Sequence, residues 1–172
     1  MRNGKVLRIS VTDRCDLRCI YCMPEAGVPL VPMADMLSYE EIAAVARAAM
    51  TVGVRRFRLT GGEPLARRGV VALVRLLAAL GPDDLALTTN GLHLADFAAD
   101  LKGAGLMRVT VSLDTLRRDR FEAITRRTGF DRILAGLEAA RAAGLAPIKV
   151  NTVVIRGVND DEIPDFVRFA RE

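Results

Sequence analysis

Strand-like and helix-like segments alternate along this chain without interruption, and this alternation limits the possible folds more than any other feature. Five short segments have the alternating apolar and polar residues of strands, at 6–12, 56–60, 85–89, 108–113 and 148–155. Each is followed by a segment with helical spacing. Because consecutive βα units favour a parallel sheet with right-handed crossovers, the sequence predicts an α/β fold.

The helical segments have recognisable starts and stops. Ser38 and Glu41 have the spacing of a capping box at the start of the first helix. Three glycines follow helical segments, where a residue without Cβ readily takes the left-handed conformation that ends a helix. Further helices are predicted at 67–80, 94–102 and 131–143, and one that opens near Asp160.

The length decides how much of a barrel the chain can form. A closed (βα)8 barrel needs about 250 residues, whereas this chain has 172. We therefore expect one domain, residues 1–172, that forms a partial (βα) barrel of about five parallel strands with helices on the outer face. It ends within a helical pattern, as if truncated at its C-terminus. A complete doubly wound sheet is the alternative, although residues 12–15 stand where a dinucleotide-binding fold has its glycine-rich turn.

The predicted strands each have one polar side. Arg8, Arg58 and Lys149 point away from the apolar residues of their own strands. Branched apolar side chains fill the interior of a packed barrel, so these cations instead indicate an open interior that holds a polar, anionic ligand. Polar strand ends that only meet solvent are the alternative explanation.

Composition excludes several classes of partner. Tryptophan is absent and aromatic residues make up 5%, which argues against nucleic acid as a ligand. No apolar run reaches the ~20 residues of a membrane span, and the N-terminal residues lack a signal-peptide core, so we expect a cytoplasmic protein with no membrane contact. Paired arginines such as Arg67 and Arg68 are interpreted as a solvated surface.

All three cysteines, Cys15, Cys19 and Cys22, lie within eight residues and form a C-x3-C-x2-C pattern. Three thiolates can hold three irons of a [4Fe–4S] cube and leave the fourth iron open for chemistry. A structural zinc site needs four ligands, and His93, the single histidine, lies far along the chain. A redox pair formed by Cys19 and Cys22 is a further alternative, but it leaves Cys15 unexplained.

Together with Tyr21, this pattern resembles the signature of the radical S-adenosylmethionine (SAM) superfamily. The wider string LRISVTDRCDLRCIYCMP resembles the GTP 3′,8-cyclase family, lyases that begin molybdenum-cofactor biosynthesis. FRLTGGEPLARR, LTTNG, VTVSLDTL and IKVNTVVIRGVND follow in that family's order and spacing. The resemblance extends over essentially the whole chain.

The resemblance implies a [4Fe–4S] cluster on the three cysteines, with SAM bound to the open iron and cleaved to methionine and a 5′-deoxyadenosyl radical that abstracts hydrogen from GTP. It implies SAM contacts at Tyr21, Gly62 and Ser112. The implied GTP contacts are Arg8, Arg58, Thr88 and Lys149. The resemblance also implies a partner that donates electrons to the cluster. It implies no catalytic side chain.

The chain also departs from that family. Family members have a C-terminal half with three more cysteines for a second cluster that binds the GTP base, a later SAM-contacting methionine and a Gly-Gly tail. No cysteine follows Cys22 here. We therefore expect cluster and SAM binding without conversion of GTP, and self-association through the open edge of the fifth strand. Another radical SAM enzyme, or a non-catalytic fragment that binds Fe–S or zinc, remains the alternative.

Overall fold

The structure is a computed structural model and describes residues 5–171. The strands are β1 Val6–Ser10, β2 Arg56–Thr60, β3 Asp84–Thr89, β4 Arg108–Ser112 and β5 Lys149–Asn151. The helices are α1 Tyr39–Thr51, α2 Val70–Ala78, α3 Leu94–Gly103, α4 Arg118–Thr125, α5 Phe130–Ala142 and α6 Ile163–Phe169. Short 3-10 turns lie at Met33–Asp35, Pro64–Ala66 and Asp160–Glu162.

All five strands are parallel and lie in the order β1-β2-β3-β4-β5. This order confirms the partial barrel, because a doubly wound sheet reverses its strand order and has helices on both faces. The apolar strand residues pack with the helices in one core, which includes Phe57 and Leu59 of β2, Val109 and Val111 of β4, and Leu73 of α2. The helices therefore cover one face of the sheet, as predicted.

The opposite face, called the inner face below, carries the polar residues. Arg8 lies beside Arg58 in the register of β1 and β2. Ala86 follows in the same row and separates Arg58 from Arg108. Lys149 pairs in register with β4 one inner-face row nearer the carboxyl ends of the strands. The predicted cations therefore share one face of the sheet.

The observed β5 is shorter than the predicted strand at 148–155, because side chains capture the backbone that follows it. The Val153 amide donates to the Asp114 carboxylate at 2.8 Å, and the Ile155 amide donates to the Asn159 side chain at 2.7 Å. These amides are turned toward side chains, and the ladder with β4 ends at Asn151.

One predicted helix is shorter than expected, and one observed helix was not predicted. The helix predicted at 67–80 begins at Val70, because Gly69 has a left-handed conformation with φ of 79°. Helix α4 was not predicted, since its sequence is short and polar and lacks an extended apolar repeat. The capping box of Ser38 and Glu41 is present as predicted. Within residues 5–171, none of the helices combines the length and apolar character needed to cross a bilayer.

Candidate functional site

The segment Cys15–Cys22, called the cysteine loop below, follows β1 and lies at the carboxyl ends of the strands. It borders a cavity of about 280 Å³. The cavity is also lined by the Gly61-Gly62 turn after β2 and by residues at the ends of β3, β4 and β5. Ligands of barrel folds bind at this edge, and the structure confirms that the cysteine loop and the glycine turn meet there.

Helix α4 holds the cysteine loop from the outside. The amides of Arg18 and Ile20 donate to the carbonyls of Thr125 and Ile124, each at 2.9 Å. Arg126, which follows α4 with a positive φ of 55°, donates from Nη1 to the carbonyls of Arg18 and Met23, each at 3.3 Å. Sequence reasoning missed this support because it did not predict α4.

The glycine turn packs directly on the backbone that leads into the cysteine loop. The Gly62 amide donates to the Thr12 carbonyl at 2.6 Å. A Cβ on Gly62 would lie 2.3 Å from the Arg14 carbonyl oxygen, and one on Gly61 would lie 2.5 Å from that of Thr12. Only glycine permits this approach, so the two strand ends stay in contact.

Glu63 joins the turn after β2 to the end of β3. Its carboxylate is fully buried and accepts hydrogen bonds from Thr89 Oγ1 at 2.8 Å and from the amides of Asn90 and Leu65 at 2.6 and 2.9 Å. Burial raises the pKa of Glu63, and these three donors oppose that rise. Asn90 Nδ2 in turn lies 3.9 Å from Cys15 Sγ, which links the network to the first thiol.

The predicted SAM contacts come together at the cavity. Tyr21, Gly62 and Ser112 all line it. The Tyr21 hydroxyl donates to Asp114 Oδ2 at 2.5 Å. Burial, followed by this hydrogen bond, raises the pKa of Tyr21, so the phenol stays protonated and donates. Asp114 was missed as a site residue, although its place directly after a strand whose alternate residues are polar was a usable signal.

Of the four predicted GTP contacts, only one lies at the cavity that the thiols border. Thr88 lines the cavity, whereas Arg8, Arg58 and Lys149 lie outside its lining and farther from the carboxyl ends on the inner face. Arg58 Nε is buried without a hydrogen-bond partner among the described residues. A row of cations with unsatisfied donors is the kind of surface that attracts an anion.

Arg108 extends this cationic row and was not predicted as a site residue. Its Nε donates to Asp84 Oδ1 at 2.7 Å, and a second contact joins its Nη2 to Asp84 Oδ2. This bidentate pair neutralises one of the inner-face charges. The alternation used for the other strands would have placed Arg108 on the inner face.

Arg67 departs from the sequence expectation, and His93 finds a partner in the cysteine loop. Arg67 is not a solvated surface residue: it donates to the carbonyls of Val11 and Leu37, each at 2.7 Å, and stacks on the Tyr39 ring at 4.5 Å. His93 precedes α3 but makes no side-chain capping bond, and its Nε2 lies 3.1 Å from Asp16 Oδ2.

The donor set fits a cluster better than a single ion. Within residues 5–171, no three His, Cys, Asp or Glu side chains are grouped as ligands of one metal ion. Three thiols that border one cavity suit a [4Fe–4S] cube, because each thiolate binds a different iron and the three need not converge on one point.

The thiols of Cys15 and Cys19 are protonated near neutral pH in the metal-free chain. Burial, and next the nearby Asp114 carboxylate, raises the pKa of Cys19 to about 11. Burial also raises the pKa of Cys15. Cluster binding must displace these protons, so metal uptake is coupled to deprotonation.

The raised pKa of Cys19 predicts its reactivity. Only about one thiol in a thousand is ionised three units below the pKa, so alkylation of Cys19 should speed up about tenfold per pH unit from pH 8 to 10. The unfolded chain loses this proton first, so the stability that the group contributes is complete below pH 9 and is lost between pH 9 and 11. Mass spectrometry of iodoacetamide-treated, metal-free chain measures the rate, and a plateau near pH 9 would contradict the prediction.

Comparison with known proteins identifies the superfamily to which this chain belongs. The profile of the Radical SAM superfamily matches residues 9–170. The chain belongs to this superfamily, whose members use a [4Fe–4S] cluster and SAM, the two cofactors expected from the sequence.

Curated relatives show which members of this superfamily the chain is similar to. A GTP 3′,8-cyclase of Moorella thermoacetica is 58% identical over 172 residues, which are 99% of this chain and 53% of the relative. A GTP 3′,8-cyclase of Heliobacterium modesticaldum is 57% identical over 168 residues, which are 97% of this chain and 51% of the relative. The chain thus spans about half the length of the curated relatives that it matches.

A solved structure supports the fold independently. Streptococcus suis SuiB bound to S-adenosylmethionine superposes with a TM-score of 0.74 at 20% identity, covering 96% of this chain and 38% of SuiB. At this level of identity the similarity concerns the fold alone.

Proposed function

We propose that this chain forms the SAM-cleaving half of a GTP 3′,8-cyclase in molybdenum-cofactor biosynthesis. The observation that carries the proposal is the shared cavity, whose lining includes the three thiols, the Gly62 backbone and the Ser112 side chain. Cys15, Cys19 and Cys22 would hold the [4Fe–4S] cluster. When bound, the cluster supplies the electron that cleaves SAM and so yields a 5′-deoxyadenosyl radical.

The chain's own residues would place SAM beside the cluster. The tight packing of Gly62 on the Arg14 carbonyl keeps the turn after β2 within the cavity lining, where its backbone can approach the methionine part of SAM. Ser112 is half-buried at the end of β4 and presents a hydroxyl to the same cavity. Tyr21, between Cys19 and Cys22, lines the same cavity and would also contact SAM.

The inner-face cations favour a polyphosphate as substrate. We assign the binding of GTP to Arg8, Arg58, Thr88 and Lys149. Arginine pairs with phosphate through two parallel hydrogen bonds, and lysine adds a point charge. The names of the two relatives support GTP, whereas a peptide substrate would leave this row of positive charges unused. Cyclisation itself is proposed for the whole protein, and the described residues are proposed to carry SAM cleavage and phosphate binding.

Anaerobic reconstitution tests the proposal. With iron and sulfide, the chain should take up about four of each per chain. After reduction with dithionite it should cleave SAM to 5′-deoxyadenosine. Uptake of one zinc with no iron–sulfur absorption would support a non-catalytic module and overturn the proposal. SAM cleavage without any GTP binding would favour a radical SAM enzyme that acts on a different substrate.

Arg58 offers a test of the substrate assignment. Replacing Arg58 by alanine should weaken GTP binding about ten- to a hundredfold, the value of a hydrogen bond to a charged group, and leave SAM cleavage largely intact. Calorimetric titration with GTP measures the first effect, and chromatography of 5′-deoxyadenosine measures the second. Arg75→Ala, on the exposed side of α2, is the matched control. An equal loss of both properties would show that Arg58 is structural.

The remaining partner expectations are also proposals. The cluster needs an external one-electron donor to start each SAM cleavage. We propose a cytoplasmic location, where thiols stay reduced and available to iron. The sheet ends at β5, with Lys149 and Asn151 exposed, and this strand edge is our candidate for self-association.

A further inference from the structure

A buried carboxylate at the cavity, with no role assigned so far, joins the cysteine loop to the segment that follows the last strand of the sheet. Asp114 follows β4 and is 7% exposed. Its Oδ2 accepts from the Tyr21 hydroxyl at 2.5 Å, and its Oδ1 accepts from the Val153 amide at 2.8 Å. The two contacts cross 93 and 39 residues of sequence. One side chain therefore connects two segments that line the cavity from different sides.

Asn159, to which the sequence alone assigned no role, completes this connection. It is 2% exposed, and its Nδ2 donates to the carbonyls of Asp114 at 2.6 Å and Val153 at 2.9 Å. Its Oδ1 accepts from the Ile155 amide at 2.7 Å. Hydrogen bonds to the Asp114 carboxylate and to the Asn159 side chain therefore hold the backbone after β5 against Asp114.

Asp114 has no stabilising ion pair to explain its burial. Among the described residues, no lysine, arginine or histidine forms a salt bridge with it. A buried charge without a counter-ion is costly unless hydrogen bonds satisfy it. Both of its oxygens bind segments that are distant in sequence, which is the arrangement of a group kept for positioning.

Tyr21 depends on this contact for its position. Its side chain is 46% exposed, so packing alone does not fix the ring. The turn around it is held by the amides of Cys22 and Met23, which donate to the Cys19 carbonyl at 2.9 and 3.1 Å, and from the outside by α4 and Arg126. None of these bonds involves the Tyr21 side chain. The hydroxyl–carboxylate bond is therefore what fixes the side chain between the second and third cysteines to the strand ends.

We propose that Asp114 is a positioning residue: its carboxylate fixes Tyr21, and with it the Cys19–Cys22 turn, to the segment that follows β5. The proposal rests on the proposed function, because Tyr21 is assigned to SAM. It adds that the SAM side of the cavity and the end of β5 move as one unit, since breaking the Tyr21–Asp114 bond releases the turn from the strand.

A double-mutant cycle tests the proposal. Tyr21→Phe and Asp114→Ala should each weaken SAM binding to the cluster-loaded chain about tenfold, and the double variant should be no weaker than the worse single one within about twofold. Asp114→Asn should restore most of the affinity, because its Oδ1 can still accept from the Val153 amide while its Nδ2 donates to the Tyr21 hydroxyl oxygen. Additive losses, or an Asn variant as poor as Ala, would overturn the proposal.

A second measurement needs no cluster. In the metal-free chain, amide hydrogen exchange at Cys22 and Met23 should speed up about tenfold in Tyr21→Phe, because the turn opens more often. Thr152→Val is the matched control, since the Thr152 hydroxyl donates to the Leu113 carbonyl at 2.8 Å between the same strands but does not reach the cysteine loop. Equal exchange in Tyr21→Phe and wild type would contradict the proposal.

The two measurements separate the possible failures. If the wild-type chain binds neither cluster nor SAM, the proposed function fails while hydrogen exchange still tests the link. If the wild-type chain binds both and Tyr21→Phe changes nothing, only the positioning role fails. Should Asp114→Ala not fold, as its circular dichroism would show, Tyr21→Phe and Asp114→Asn still decide the outcome.

Discussion

Replacing Cys19 by alanine is expected to lower the iron content of the reconstituted chain from about four atoms to less than one. A cube held by two protein thiolates is easily lost, because the chain has no other cysteine to take the third position. SAM cleavage should disappear together with the iron. Iron analysis, the absorbance of the cluster and chromatography of 5′-deoxyadenosine measure the three losses on the same sample.

The matched control for this variant is Met23→Leu. Met23 is next to Cys22, and the substitution conserves volume and keeps the backbone amide that donates to the Cys19 carbonyl. It should retain full iron content. A Cys19→Ala chain that keeps four irons and cleaves SAM would refute the ligand assignment.

The second large effect is expected for Gly62→Ala. The added Cβ would lie 2.3 Å and 2.8 Å from the carbonyl oxygens of Arg14 and Asp13, and 2.7 Å from the Arg14 carbonyl carbon. These are backbone atoms, so either the turn or the start of the cysteine loop must move. We expect a loss of about 3 kcal/mol or more in the free energy of unfolding, together with loss of SAM binding. Urea unfolding of the metal-free chain measures the first.

Gly103→Ala provides the comparison. Gly103 is the last residue of α3, and a Cβ there would have no neighbouring atom within 4 Å. Alanine should leave the chain unchanged or stabilise it by up to about 1 kcal/mol. If both glycine variants unfolded at the same urea concentration, the close approach at Gly62 would not contribute to stability.

Local patterns made a large part of this protein predictable. The alternation of apolar and polar residues in β2 and β4 was sufficient to assign the helix-covered and inner faces, because successive strand side chains point in opposite directions. The spacing of the cysteines was sufficient to predict that the three thiols border one cavity. Each of these signals lies within a few residues of sequence, where the geometry of the backbone directly fixes which side chains share a face.

Predictions failed where distant groups compete for the backbone. The segment after β5 has the apolar, β-branched composition of a strand, but its amides bind Asp114 and Asn159 and leave the ladder. Helix α4 is short and polar, yet the carbonyls of Ile124 and Thr125 at its end accept hydrogen bonds from the cysteine loop. Nothing in the local composition of either segment reports these partners.

The sequence by itself determined the βα order, the inner-face cations and the grouping of three thiols in one loop, since all three follow from local periodicity and spacing. Only the tertiary structure decided that Thr88 joins the thiols at the cavity while Arg8, Arg58 and Lys149 lie farther along the face. It also decided that one buried carboxylate binds both the cysteine loop and the end of β5. The physical reason is that such contacts depend on how strand ends are aligned in space, and that alignment arises only when the whole sheet has packed against its helices.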